Sequence, residues 1–152
     1  MRELNKLQVL VAEDNADDVK AIKQALASDH LPGSFGFVRD GQEVIDYLQG
    51  KGFYNDRSLY PFPDVLVLDL KIPQFSGFET LRWVRKHSDW AQLPVLVLSD
   101  SSLPAVVEEA YRLGANSFFS KPMRLDALTE LLRGLISYWT LSRRPSSQQP
   151  DL

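Results

Sequence analysis

The chain contains no cysteine. That absence excludes disulfides, thiolate metal centres, iron–sulfur clusters and a cysteine nucleophile. Histidine is nearly absent as well: only His30 and His87 occur. Neither has a partner at metal-ligand spacing, and both are expected at the surface. No stretch approaches the run of about 18 apolar residues that a membrane-spanning helix requires. The start, Met1 to Lys6, is polar and mixed in charge, without the basic head and apolar core of a secretory signal. A cytoplasmic protein with no membrane partner is the expectation. A basic surplus is also missing: 17 Lys and Arg stand against 20 Asp and Glu, a net charge of −3, so nucleic acid is not an expected partner.

What remains is ordinary globular composition, 44% hydrophobic and 24% charged over 152 residues. A single domain of that length buries roughly 70% of its unfolded surface. Short apolar runs rich in Val and Leu occur at Leu7–Ala12, Val65–Asp69 and Pro94–Ser99. They do not alternate with polar residues, which is the pattern of strands buried on both faces of a parallel sheet. Ser117–Phe119 and Phe35–Val38 are weaker strands of the same kind. Between them the apolar period becomes helical: Val19, Ile22 and Leu26; Val44, Ile45 and Leu48; Phe78, Leu81 and Val84; Val106, Val107, Ala110 and Tyr111. The longest stripe runs through Leu125, Leu128, Leu131, Leu132, Leu135, Ile136 and Trp139. Five strands alternating with five helices predict an α/β domain, a parallel sheet covered on both faces through right-handed crossovers.

Gly50 to Pro63 is long for a helix-to-strand connection, where about two to six residues is usual. Its Phe53, Tyr54, Tyr60 and Phe62 predict a loop packed onto the domain. The domain is read as residues 1–140, and residues 141–152, polar with two prolines, as a disordered tail.

Open α/β sheets bind ligands beyond the carboxyl ends of their strands. There the first strand offers Glu13 and Asp14, the third Asp69, the fourth Ser99, and the fifth Lys121. Two unit charges about 4 Å apart repel by roughly 4 kcal/mol at an effective dielectric near 20. Converging carboxylates therefore call for a cation, and oxygen-only ligands point to Mg²⁺, Mn²⁺ or Ca²⁺ rather than zinc. Asp69 is the candidate nucleophile. An ordinary Asp is ionised at neutral pH and needs no general base. Its weak nucleophilicity must be offset by a metal ion on one side of a phosphoryl group and Lys121 on the other.

The succession VAEDN, LVLDLKIP followed by SG, VLVLS, and FFSKP resembles the receiver domain of two-component response regulators, over about Leu7 to Ile136. Each motif alone is weak; four in this order, each at a strand end, are specific. The resemblance implies a flavodoxin-like, doubly wound five-stranded parallel sheet of order 2-1-3-4-5. It implies phosphorylation of Asp69 by a histidine kinase, with Glu13, Asp14, Asp69 and the Lys71 backbone carbonyl as ligands of Mg²⁺. Ser99 and Phe118 stand at the positions of the switch hydroxyl and switch aromatic, and Lys121 at that of the phosphate-pairing lysine, ahead of a cis bond to Pro122. AEDNADD, the VRDG turn, the loop ending YPFPD and the long last helix with Tyr138 and Trp139 resemble the stand-alone receivers associated with phytochromes. A phytochrome-like kinase is the implied partner. Asp100, beside Ser99, departs from the small residue usual there, and Lys71 places a cation two residues past the acceptor.

No output domain is expected after Trp139, so signalling would pass through contact with a downstream protein. A homodimer is expected through the fourth helix, fifth strand and fifth helix, with Trp139 as an anchor. Beyond its own phosphotransfer and dephosphorylation the chain is not expected to be an enzyme. A phosphohydrolase of the haloacid-dehalogenase kind needs a second Asp two residues past the nucleophile, where this chain has Lys71. The alternative is a receiver-like scaffold that binds constitutively without phosphorylation, which Asp100 alone favours.

Overall fold

A computed structural model describes residues 6–28, 30–72, 76–122 and 124–143. Five strands, β1 (Gln8–Ala12), β2 (Ser34–Val38), β3 (Val65–Leu68), β4 (Val95–Ser99) and β5 (Ser117–Ser120), alternate with five helices. The helices are α1 (Ala16–Ser28), α2 (Gly41–Gln49), α3 (Gly77–Lys86), α4 (Pro104–Arg112) and α5 (Leu125–Leu141). All neighbouring strands pair in parallel, in the order β2-β1-β3-β4-β5. This is the flavodoxin-like order expected, with its switch point between β1 and β3.

The unbroken apolar runs have a simple cause: alternate residues of each strand enter different cores. Leu10, Leu66, Leu68, Val95 and Val97 join one core with Val44, Leu48, Leu81 and Val84 of α2 and α3. Val9, Val11, Val67, Leu96 and Leu98 join the other, with Ile22 of α1 and Leu128, Leu132 and Ile136 of α5. Each fully buried Leu or Ile contributes about 1.5–3 kcal/mol, so α5 is held chiefly by Leu128, Leu132, Leu135 and Ile136. Its stripe is not buried throughout: Leu125 is 46% exposed and Leu141 83%. α5 reaches Leu141, one residue into the expected 141–152 tail, of which residues 144–152 lie outside the described residues. No helix among those described is long and apolar enough to cross a membrane.

Helix starts follow the local sequence. Asp40 caps α2 by accepting the Glu43 N–H at 2.8 Å. Ser76 and Glu79 form a reciprocal capping box at the start of α3.

The 50–63 loop begins with a 3₁₀ turn at Gly52–Asn55 and packs as expected, except at one residue. The Tyr54 and Tyr60 rings meet edge-to-face at 5.1 Å. The Tyr54 hydroxyl donates to Glu43 Oε2 at 2.8 Å, and Arg57 donates to the Leu48 carbonyl at 2.9 Å. Phe53, expected to pack, is 86% exposed at the tip of the turn. His87 is half-buried at the surface rather than free in solvent. It lies 4.5 Å from both the Trp83 and Trp90 rings, because the 3₁₀ turn Ser88–Trp90 folds Trp90 back over the end of α3.

Candidate functional site

β1 and β3 are neighbours with Ala12 opposite Leu68, so the next residues, Glu13 and Asp69, leave the sheet side by side. The Asp69 N–H donates to the Ala12 carbonyl at 3.1 Å and the Glu13 N–H to the Val38 carbonyl at 3.0 Å. These two bonds fix both backbones against the adjoining strand ends. Lys121 follows β5, and its N–H donates to the Ser99 carbonyl at 2.8 Å. β4 separates Lys121 from β3, and its long side chain spans that distance along the rim. Its Nζ lies 2.9 Å from Asp69 Oδ2, 2.8 Å from Glu13 Oε1 and 2.7 Å from Asp18 Oδ2.

The groups are nearly dry. Side-chain exposure is 2% for Glu13, 5% for Asp69 and 10% for Lys121. Burial, reinforced by the hydrogen bond with Asp69, pushes the Glu13 pKa up to about 7 against the pull of Lys121. Burial would also raise Asp69. The hydrogen bonds it shares with Glu13, with the Lys71 N–H and with Lys121 outweigh burial and hold it below the usual carboxylate range. For Lys121 burial opposes the charge, but its bonds to Asp18, Glu13 and Asp69 raise it above an ordinary lysine. Near neutral pH the centre thus holds an ammonium, an ionised Asp69 and a Glu13 that is about half protonated.

Of the five residues expected to converge on the rim, Glu13, Asp69 and Lys121 are brought into contact, and among the described residues the side chains of Asp14 and Ser99 are not bonded to them. Asp14 is exposed on the rim beyond Glu13. Lys71 holds the acceptor through its backbone, donating N–H to Asp69 Oδ1 at 3.0 Å. Its side chain is exposed and stands 3.9 Å from Asp100, which is itself 56% exposed. Ser99 is buried at the end of β4, and its Oγ accepts the Ser101 N–H at 3.1 Å. Phe118 is half-buried against the core under α2, α3 and α4, and its N–H donates to the Tyr111 hydroxyl at 3.1 Å. The Lys121–Pro122 bond is trans, as are all described peptide bonds, not the expected cis; trans is the form that such bonds favour by about 0.5–1 kcal/mol.

Sequence reasoning missed Asp18. An acidic residue in the first turn of a helix is usually explained by the helix dipole, and nothing local marks this one as reaching Lys121.

The donor set fits a hard divalent cation. Three carboxylates, on Glu13, Asp18 and Asp69, share one ammonium, which leaves negative charge in excess, and every side-chain ligand on offer is oxygen. Among the described residues no three such side chains are already gathered as a metal cage; Glu13 and Asp69 close on Lys121 instead.

Residues 9–133 match the family model of the response regulator receiver domain. The chain is 28% identical over 131 residues to the response regulator Rcp1 of Synechocystis sp., covering 86% of this chain and 87% of that protein. Its structure is similar to that of the phosphorylated cyanobacterial phytochrome response regulator RcpA, with a TM-score of 0.82 and 30% identity over 93% of this chain and 99% of the other. It is also similar to the Mn²⁺-bound form of Rcp1, with a TM-score of 0.79 and 27% identity over 92% and 99% of the two chains.

Proposed function

The chain belongs to the response regulator receiver domain family, and on that premise we propose that it is a stand-alone phosphorylation switch whose phosphoacceptor is Asp69. The observation that carries this reading is the ammonium of Lys121 set 2.9 Å from an Asp69 carboxylate that is nearly dry and ionised. An ionised oxygen attacks phosphorus without a general base. The bond from phosphorus to the donor breaks, a P–N bond where the donor is a kinase histidine, and its electron pair leaves with the donor. Asp69 is left as an acyl phosphate.

Each remaining residue then has a task. Lys121 pairs with a phosphoryl oxygen. The Lys71 N–H keeps the Asp69 carboxylate oriented. The Ser99 hydroxyl, at the adjoining strand end, turns toward the phosphoryl group, and Phe118, linked to α4 through Tyr111, carries the change outward. Glu13, Asp14, Asp69 and the Lys71 carbonyl are the ligands for Mg²⁺, which when bound neutralises charge on the transferring group. The scaffold alternative rested on Asp100, whose exposed carboxylate lies 3.9 Å from the Lys71 ammonium and is not among the groups bonded to Asp69.

The kinase partner is a sensor histidine kinase, phytochrome-like by the similarity to the phytochrome response regulator RcpA, in the cytoplasm. The test is intact-mass spectrometry after incubation with a small acyl phosphate. One phosphoryl adduct should form with Mg²⁺ and none after chelation by EDTA. A protein that stays unmodified at saturating donor and Mg²⁺ would refute the switch.

A homodimer through α4, β5 and α5 completes the proposal. The supporting observations are Leu103, Tyr111 and Tyr138, exposed by 65%, 48% and 64%, and a cavity of about 520 Å³ between β5 and α5 bordered by Phe119, Leu131 and Trp139. Trp139→Ala should weaken self-association by about tenfold or more, in the range of an aromatic anchor. A strictly monomeric wild type in sedimentation at micromolar concentration, with and without a phosphoryl mimic, would remove the dimer.

A further inference from the structure

The ammonium of Lys121 has three N–H donors, and all three are engaged in this state, by Glu13, Asp18 and Asp69. If Lys121 is to pair with a phosphoryl oxygen, one of these bonds must be given up. Glu13 and Asp69 are buried at adjoining strand ends and close to the reacting centre. Asp18 is different: it lies on α1, its side chain is 37% exposed, and its bond to Lys121 is the shortest of the three at 2.7 Å.

The Asp18 backbone is also held in place independently of Lys121. Its N–H donates to Asn15 Oδ1 at 3.0 Å, and the Val19 N–H to the Asn15 carbonyl at 3.0 Å, so the first turn of α1 is closed and the backbone that carries the carboxylate is fixed. A cavity of about 40 Å³ bordered by Glu13, Asp18, Ile22, Leu98 and Lys121 lies beside the ammonium. That is room for a water molecule, and it leaves the lysine head space to shift.

We propose that Asp18 is a positioning residue that competes with the phosphoryl group for Lys121. In the resting state it draws the ammonium toward α1. In the phosphorylated state the phosphoryl oxygen takes over that N–H, and Asp18, reaching solvent, is left to water. The resting grip is therefore a fixed cost against the phosphorylated form, set by a residue that touches neither donor nor phosphorus. This inference rests on Asp69 being the phosphoacceptor.

Beryllofluoride with Mg²⁺, a mimic of the aspartyl phosphate, tests it by titration on the full chain. Asp18→Ala should bind the mimic about tenfold more tightly than wild type, the effect of one charge-assisted hydrogen bond. Asp18→Asn, which keeps the acceptor and loses the charge, should fall between the two. Both differences should largely persist at high salt, because the contact is a direct 2.7 Å hydrogen bond to a nearly buried ammonium rather than a long-range attraction. A purely structural Asp18 would give equal or weaker binding in both variants and would overturn the proposal. Equal gains in Ala and Asn that vanish at high salt would also overturn it, since they would show only through-space repulsion of the anion. A wild type that takes up no mimic at all would overturn the acceptor assignment itself and this inference with it.

Discussion

Asp69→Asn should carry no phosphoryl group under conditions that label the wild type fully. The loss is expected to be complete within detection, because an amide oxygen lacks the charge that lets a carboxylate attack phosphorus without a base. The substitution is otherwise mild. The amide is nearly the same shape, and its one carbonyl oxygen can still accept either the Lys71 N–H or a Lys121 N–H, which reach different oxygens of Asp69 at 3.0 and 2.9 Å. The ammonium keeps Glu13 and Asp18 as partners. The Asp69→Asn variant should therefore fold, with a near-ultraviolet spectrum like that of the wild type. Intact-mass spectrometry after treatment with a small acyl phosphate and Mg²⁺ gives the answer. An adduct of undiminished yield would move the acceptor elsewhere, and the exposed Asp14 would be the first candidate.

The strands were legible because burial on both faces removes the polar residues that would otherwise interrupt them. β3 is the clearest case, with all four residues buried. β2 and β5 were the fainter ones, and they are the two edge strands: four of the five β2 residues are only half-buried and no β5 residue is fully buried, so their sequences carry less apolar signal. Glu13, Asp69 and Lys121 were legible for a different reason. Each follows a strand directly, and a parallel sheet brings its strand ends to one rim.

What could not be read were contacts made by side-chain reach. Asp18 is 103 residues from Lys121, and its place in a first helical turn has an ordinary explanation. His87 was half legible. His87 ends α3 four residues past Trp83, near the spacing at which helical side chains meet; Trp90 joins them only through a short 3₁₀ turn that no pattern announced. Phe53 differs from Tyr54 and Tyr60 of the same loop because it has no partner ring or hydroxyl contact among the described residues and is 86% exposed. Tyr54 and Tyr60 have hydroxyl or ring partners on α2 and on each other, whereas Phe53 sits at the apex.

Gly77→Ala should damage both stability and phosphorylation, although no side chain is lost. Gly77 opens α3, and its N–H donates to the Leu70 carbonyl at 3.2 Å. A Cβ at this position would stand 2.4 Å from the Leu70 Cα and 2.6 Å from the Asp69 carbonyl oxygen. Neither neighbour is a flexible side-chain end that can swing away. Both are backbone, tied in place by the Asp69 N–H bond to Ala12 and the Gly77 bond to Leu70. Relief requires α3 to lift or the Asp69–Leu70 backbone to move toward the site. Overpacking of this kind costs about 3 kcal/mol, the upper part of its usual range, which lowers the melting temperature by about 6–12 °C in a domain of this size. The second effect is on chemistry. The backbone that would be displaced carries the acceptor and the Lys71 N–H that orients it, and a misplacement of about 1 Å can cost a hundredfold in rate. Phosphorylation should therefore slow by about one to two orders of magnitude at temperatures where the variant is still fully folded. A variant with wild-type melting temperature and wild-type labelling rate would mean that α3 yields freely at its first turn. The close packing of Gly77 on the acceptor strand end would then have no mechanical role.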